Sequence, residues 1–466
     1  MQVDQHTGLD VEGLLRDRGN EIYDLHRRHI NPQFVKVLQT IKFDRDFRSG
    51  RGAYLYDAEG NEYLDLISGY GTFNIGRNHP HLKATLDNVA RLDLPNLVKM
   101  DVPRLAGLLA EKLVDLAPEG LDRVFFANSG AETVESAIKF ARAATGKPGI
   151  LYADHAFHGL SMGALSLNGS EQFRGPFGPL LADARPIPFD DLPALEAALK
   201  RKDVCAFVVE PIQGKGVYVP AEDYFREAKR LCEKYGALLV MDEVQTGFGR
   251  TGTFFACEQW GVSPHILTVA KALSGGMIPS GAVLCTDAVH KKTFNRMDRC
   301  VVHGSTFYMS DLAMAAGLAT LEVMEAEDTV GNARRMGALL KDGLESLKTR
   351  HSIIREVRGR GLMLAVEFGA PSGFFNKLGR KLSQAVETGL FTQAVVMTLL
   401  DEHHILSQTA GHKVDILKFL PTLTINEADV QRIVEALDKT LASASVTGAM
   451  LSMGKNLGKQ VFRGRK

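Results

Sequence analysis

The chain has 466 residues, 45% of them hydrophobic and 24% charged, and its 55 basic and 55 acidic side chains leave a formal net charge of zero. That balance removes any global electrostatic case for nucleic acid, and no apolar stretch reaches membrane-spanning length. The cysteines (Cys205, Cys232, Cys257, Cys285 and Cys300) form no CxxC pair and no cluster with histidine, which argues for thiols in a reducing compartment and against a metal site.

The N-terminus carries no apolar signal core, so a cytoplasmic protein is expected. Residues 9–45 read as polar helices broken near Asn31-Pro32. Residues 52–66 read as a hairpin, with alternating strands on either side of the turn Asp57-Ala-Glu-Gly-Asn61. A glycine-rich stretch, Ser68 to Gly76, follows.

From Val124 onward short apolar runs alternate with helical ones. Strands are expected at Val124–Phe126, Ile150–Tyr152, Val204–Val209, Ala237–Met241, Ile266–Val269 and Ala282–Cys285. Amphipathic runs such as Glu132–Thr145 and Asp223–Tyr235 lie between them. This alternation predicts βαβ units, and strands this apolar predict a mostly parallel sheet covered on both faces. An Ala-rich helix around Leu312–Leu321 should close that domain, ahead of a strand at Met363–Phe368 and a last helix near Glu427–Leu441. The expected organisation is an N-terminal segment and hairpin (1–75), a large α/β domain (76–325), a smaller α+β domain (326–442) and a basic tail (443–466). The tail has Lys455, Lys459, Arg463, Arg465 and Lys466 and no acid. It fits a solvated tail, or a helix lying on an anionic membrane, although its four glycines interrupt any helix there.

The chemistry gathers at strand ends, where open α/β sheets bind ligands. Ser129, Gly130 and Ala131 lead into a helix, so their N–H groups and hydroxyl can form a phosphate cup or simply cap the first turn. Phe157 and His158 follow another strand, where an aromatic can lie flat against a ring or merely pack. Glu210 ends a third strand. Asp242 ends a fourth, and a carboxylate on so apolar a strand needs a partner. Gly247-x-Gly249-x-x-Gly252 formally matches a dinucleotide fingerprint, but an apolar aromatic run follows it instead of a helix. Lys271 ends the fifth strand and enters a turn rich in glycine and serine. Partial desolvation there lowers an amine's pKa and exposes a nucleophile. Phosphate cup, aromatic platform, carboxylate and amine are together what pyridoxal phosphate requires.

At these residues the chain resembles the class III aminotransferases, pyridoxal-phosphate enzymes of fold type I. The motifs run collinearly over roughly residues 50–440: Asn128-Ser-Gly-Ala-Glu132, Phe157-His-Gly159, Glu210-Pro-Ile-Gln-Gly214, Asp242 to Gly252, Lys271-Ala-Leu-Ser-Gly-Gly276 and His303-Gly-Ser-Thr306. The resemblance implies that Lys271 forms the Schiff base and shuttles the proton, and that Asp242 partners the pyridinium. By the same resemblance Phe157 and Val244 pack the two ring faces, Gln245 and Glu210 lie near the phenolic oxygen, and Ser129, Gly130 and Ala131 hold the phosphate. Thr306 matches the threonine given to the neighbouring subunit's phosphate, which implies a homodimer with shared active sites.

Departures from ornithine-type members bear on substrate. Leu160 and Lys418 stand where those members have arginines, and Lys215 stands where they often have an acid. Tyr308 and Met309 replace small residues and make the site more apolar. These four positions, Leu160, Lys215, Tyr308 and Lys418, are expected to line the substrate pocket. The expected reaction exchanges an amino group between an apolar primary or omega-amine and a 2-oxo acid. An ornithine-type enzyme and a non-transaminating relative, such as an aminomutase or decarboxylase, remain the alternatives.

Overall fold

In the computed structural model the described residues are 8–369, 388–411 and 415–443; the basic tail beyond Ser443 lies outside them. Three helices, Val11–Arg18, Ile22–His29 and Pro32–Thr40, come first. Asn31 accepts hydrogen bonds from the N–H groups of Gln33 and Phe34, which caps the third helix where Pro32 starts it. Strands β1 (Phe47–Arg51), β2 (Tyr54–Asp57) and β3 (Glu62–Asp65) form an antiparallel ladder. Asp57 closes the β2–β3 turn by accepting from the N–H groups of Glu59 and Asn61.

The central sheet contains β4 (Arg123–Ala127), β5 (Gly149–Ala153), β6 (Ala184–Ile187), β7 (Val204–Val209), β8 (Leu238–Asp242), β9 (Ile266–Val269) and β10 (Gly281–Cys285). Their order is β4-β10-β9-β8-β7-β5-β6. Only β10 runs antiparallel to its neighbours, so β4, β5, β7, β8 and β9 all end on one edge. Every residue of β5, β7, β9 and β10 is buried, because helices cover both faces. Helix Gly130–Thr145 packs one face through Val134, Ala137, Ile138 and Phe140. Helices Arg104–Leu116 and Asp311–Ala326 pack the other. The sheet is thus mixed α/β and mostly parallel. Strand β6 was not among the sequence expectations; Arg185 and Pro186 interrupt its apolar run.

The smaller sheet follows the order β11 (Ile354–Arg360), β12 (Met363–Phe368), β15 (Ile416–Phe419) and β14 (Gln408–Ala410). Strand β13 (Ile405–Leu406) pairs with β3 instead, and Ala53, Leu64 and Leu66 share a core with Leu364, Val366 and Leu417. The hairpin placed in the N-terminal segment by sequence therefore packs as part of the smaller unit.

Arg250 joins these parts. It is fully buried. Its guanidinium donates to the carbonyls of Leu362 and Pro421 and to Asn74 Oδ1, so one side chain ties the glycine-rich stretch to the small sheet. Arg250→Met leaves three buried acceptors unpaired, and denaturant unfolding should show a loss of roughly 3 kcal/mol.

Candidate active site

The shared strand edge opens into a cavity of about 1010 Å³. Ser129, Gly130, Ala131, Phe157, His158, Glu210, Lys215, Asp242, Val244, Gln245, Lys271 and Lys418 all line it.

Helix Gly130–Thr145 begins at the cavity wall. Ser129 Oγ accepts from the Glu132 N–H at 3.2 Å, and the Ser129 carbonyl accepts from Thr133. The first-turn N–H groups of Gly130 and Ala131 have no intrahelical acceptor and carry the positive end of the helix dipole. A Cβ at Gly130 would meet Val244 Cγ1 at 2.8 Å, and one at Gly159 would meet Ala131 Cβ at 2.8 Å. Both glycines thus permit the close approach that shapes this cradle.

Asp242 sits at the end of β8, almost wholly buried. Its Oδ1 accepts from the Val244 N–H at 3.0 Å and from Thr268 Oγ1 at 3.2 Å, and its Oδ2 lies 2.7 Å from His158 Nδ1. Thr268 pairs with Asp242 in the β8–β9 register, which brings its hydroxyl into place. His158 is therefore the buried neighbour of Asp242, with its Nδ1 committed to the carboxylate. Burial pushes the imidazole pKa down, but the hydrogen bond and charge of Asp242 outweigh it, and the net direction is up. His158 Nε2 is buried and unpaired among the described residues.

Glu210 accepts from the N–H groups of Phe157 at 3.1 Å and Gly214 at 2.7 Å; burial raises its carboxyl pKa. Phe157 packs edge-on against Phe173 with ring centroids 5.7 Å apart.

Lys271 begins a short 3-10 turn with φ +45°, in the left-handed region that costs a non-glycine residue energy. Such strain persists where the surroundings over-determine it. Lys271 makes no side-chain hydrogen bond among the described residues. Burial lowers its pKa, opposed by the charges of Asp242 and Glu210 and reinforced by Arg250.

Lys418, on β15, donates to the Gly214 carbonyl and to Gln245 Oε1, the latter at 2.7 Å. Gln245 Nε2 in turn donates to the Tyr70 carbonyl at 2.9 Å. Burial, with the nearby charge of Lys271, pushes the Lys418 pKa down to about 7.

Three expected residues lie outside the cavity of the single chain. Leu160 is 55% exposed on the loop after Phe157. Tyr308 is drawn onto Phe125, with ring centroids 5.6 Å apart, and Thr306 accepts from Lys99 through its carbonyl. A single chain thus does not bring Leu160 or Tyr308 to the cavity. Other lining residues escaped notice in the sequence: Tyr70, Phe173, Ile278 and Gln408. The glycine-rich stretch around Tyr70 was the only signal for any of them.

A helix N-terminus, a buried carboxylate and a strained lysine thus line one cavity at one edge of a mostly parallel sheet. The sequence pattern of the class-III aminotransferases matches residues 39–441, and the chain belongs to that family. It is 37% identical over 453 residues to the aminotransferase PigE of a Serratia species, covering 89% of this chain and 52% of that protein. The chain thus spans about half the length of that curated relative. Among solved structures it is similar to the ornithine aminotransferase of Toxoplasma gondii, with TM-score 0.76 and 32% identity over 85% of this chain and 90% of that one. A transaminase from the marine bacterium Virgibacillus gives TM-score 0.78 and 29% identity over 86% and 93% of the two chains. An amine transaminase from an uncultivated Pseudomonas species gives 0.74 and 28% over 85% and 94%.

The cradle, carboxylate and lysine fit pyridoxal phosphate, the cofactor of this family. Lys418 offers a test of the site in the cofactor-free protein. Its folded pKa of about 7 lies below its ordinary value near 10.5. Between those values the unfolded chain binds the extra proton, so this side chain's contribution to stability rises with pH above about 7 and is constant below it. The stability of the wild type relative to Lys418→Met should therefore increase from pH 7 to pH 9 in denaturant titrations. A constant difference would contradict the assignment.

Proposed function

We propose that the chain exchanges an amino group between an apolar primary amine, with its aldehyde or ketone, and a 2-oxo acid, in a ping-pong cycle. The observation that carries this reading is the convergence of Lys271, Asp242 and the helix start at Ser129–Ala131 on one cavity. Pyridoxal phosphate, when bound, supplies an aldehyde that bonds the amine and a ring that takes up electrons as a proton leaves the neighbouring carbon.

In this reading the N–H groups of Gly130 and Ala131 and the Ser129 hydroxyl bind the phosphate. Asp242, held by His158, Thr268 and Val244, accepts the ring N–H. Phe157 and Val244 would hold the ring, and Gln245 and Glu210 would supply polar groups to it from the same cavity. Lys271 Nζ anchors the cofactor and carries the proton to and from the substrate carbon; its lowered pKa favours the neutral amine that this task needs.

The cavity wall supports an apolar amine. Phe157, Phe173, Met277 and Ile278 line it, and no arginine does so among the described residues. Without a forked clamp, discrimination for a substrate carrying extra charge is weak.

A homodimer with shared sites fits the exposed apolar residues Met100, Val102, Met297, Val301 and Phe307, which flank Thr306 in fold or sequence and suit cover by a second copy. Thr306 would then serve the partner's phosphate cup. A cytoplasmic location is part of this proposal; among the described residues no helix is long and apolar enough to cross a membrane.

Steady-state assays with 2-oxo acid acceptors should give kcat/KM for hexylamine about tenfold or more above that for ornithine. Fast turnover of ornithine with none of aliphatic amines would overturn the substrate assignment. Borohydride should fix pyridoxal phosphate to the Lys271 peptide of the wild type, and Lys271→Ala should lose both this label and roughly a thousandfold or more in activity.

A further inference from the structure

We propose that Lys215, and not Lys418, receives the carboxylate of the acid substrate, the 2-oxo acid or amino acid of the exchange. This rests on the amino-transfer reading above and names the residue that recognises its acid partner.

The cavity is lined by three lysines, two carboxylates and no arginine among the described residues. The carboxylates are already met by the protein: Glu210 by two backbone N–H groups, Asp242 by His158, Thr268 and Val244. Lys271 is reserved for the amine chemistry. Lys418 is also committed. Its amine donates to Gly214 and Gln245, and the residue is only 4% exposed. Turning it to a substrate would leave the half-buried Gly214 carbonyl and the Gln245 amide oxygen without this donor. It therefore acts as a positioning residue for Gln245.

Lys215 differs on each count. It is half-buried in the cavity wall and forms no ion pair among the described residues. Its Nζ rests 4.5 Å from the centre of the Phe173 ring, which itself abuts Phe157. Cation–π contact is a weak hold that a carboxylate can replace. Desolvation lowers the Lys215 pKa, the mark of a cation short of an anionic neighbour.

The mounting is rigid. Three successive carbonyls of this loop are gripped by the small sheet and its flank: Gly214 by Lys418, Lys215 by the Gly411 N–H at 2.7 Å, and Gly216 by Arg358 at 2.8 and 3.1 Å. The loop closes on itself through the bond from Gln213 N–H to the Tyr218 carbonyl. A lysine is flexible, but its backbone here is held in place, so the ordering cost of binding falls mainly on the side chain. The charge sits one aromatic ring beyond Phe157. An apolar amine can occupy the same cavity with Lys215 left on Phe173, and an acid can draw it off.

The test compares holoenzyme variants Lys215→Gln, Lys215→Arg and Lys418→Met. Loss of a charge-assisted contact predicts that Lys215→Gln raises KM for pyruvate and 2-oxoglutarate about tenfold or more relative to its effect on KM for hexylamine. Lys215→Arg should restore most of the acid affinity. Lys418→Met should disturb the amine and acid half-reactions alike. Calorimetric binding of glutarate, which does not react, gives a readout independent of turnover and should weaken about tenfold in Lys215→Gln. Equal glutarate affinity in Lys215→Gln and wild type, or a loss confined to Lys418→Met, overturns the proposal. If wild-type holoenzyme converts no amine, the amino-transfer reading fails, while the glutarate result still decides the role of Lys215.

Discussion

A buried carboxylate at the end of a buried strand is the constraint on which this site depends. Asp242 sits where β8 leaves the sheet, with almost no exposure to solvent. An unpaired charge there would be costly. Thr268 on the neighbouring strand, the Val244 N–H in the following turn and His158 from the loop after β5 all converge on it. The same parallel pairing that delivers Thr268 also delivers Lys271, three residues further along the chain, to the same edge. Sheet topology and electrostatics are thus one problem: the strands run parallel, so their ends share an edge, and the groups at those ends must satisfy one another or a ligand.

The second constraint is the attachment of the small sheet to that edge. Strand β15 presents Lys418, Arg358 reaches over from β11, and Gly411 follows β14; together they hold residues 214–216. Arg250 adds a buried link from the large domain to Leu362 and Pro421. The smaller unit thus adds Lys418 and residues 408–411 to a cavity whose other walls come from the large domain and the glycine-rich stretch.

Much of this was legible in the sequence. Six apolar runs announced six strands, because strands buried on both faces carry an uninterrupted apolar signal. Ser129-Gly130-Ala131 could be read as a helix start from its residue types alone. What escaped was decided by contacts distant along the chain. His158 read either as an aromatic against a ring or as packing, and its bond to Asp242, 84 residues away, was not legible. Lys418 read as a pocket residue at an arginine position, but its bond to Gln245, 173 residues away, was not legible. The pairing of β3 with β13 was invisible because two-residue strands carry no periodicity. Leu160 and Tyr308 were expected in the pocket, but in the single chain one lies on an exposed loop and the other stacks with Phe125.

The central claim is that Asp242 governs the electron-accepting capacity of the bound cofactor. The direct measurement is single-turnover amino transfer from a saturating amine to holoenzyme carrying Asp242→Asn, with pyridoxal phosphate affinity determined in parallel. Asparagine keeps the shape and loses the charge, so the account predicts that cofactor is still bound while the transfer rate falls about a thousandfold, the scale of a lost electrostatic partner in a desolvated site. Transfer at the wild-type rate by fully loaded Asp242→Asn would contradict it.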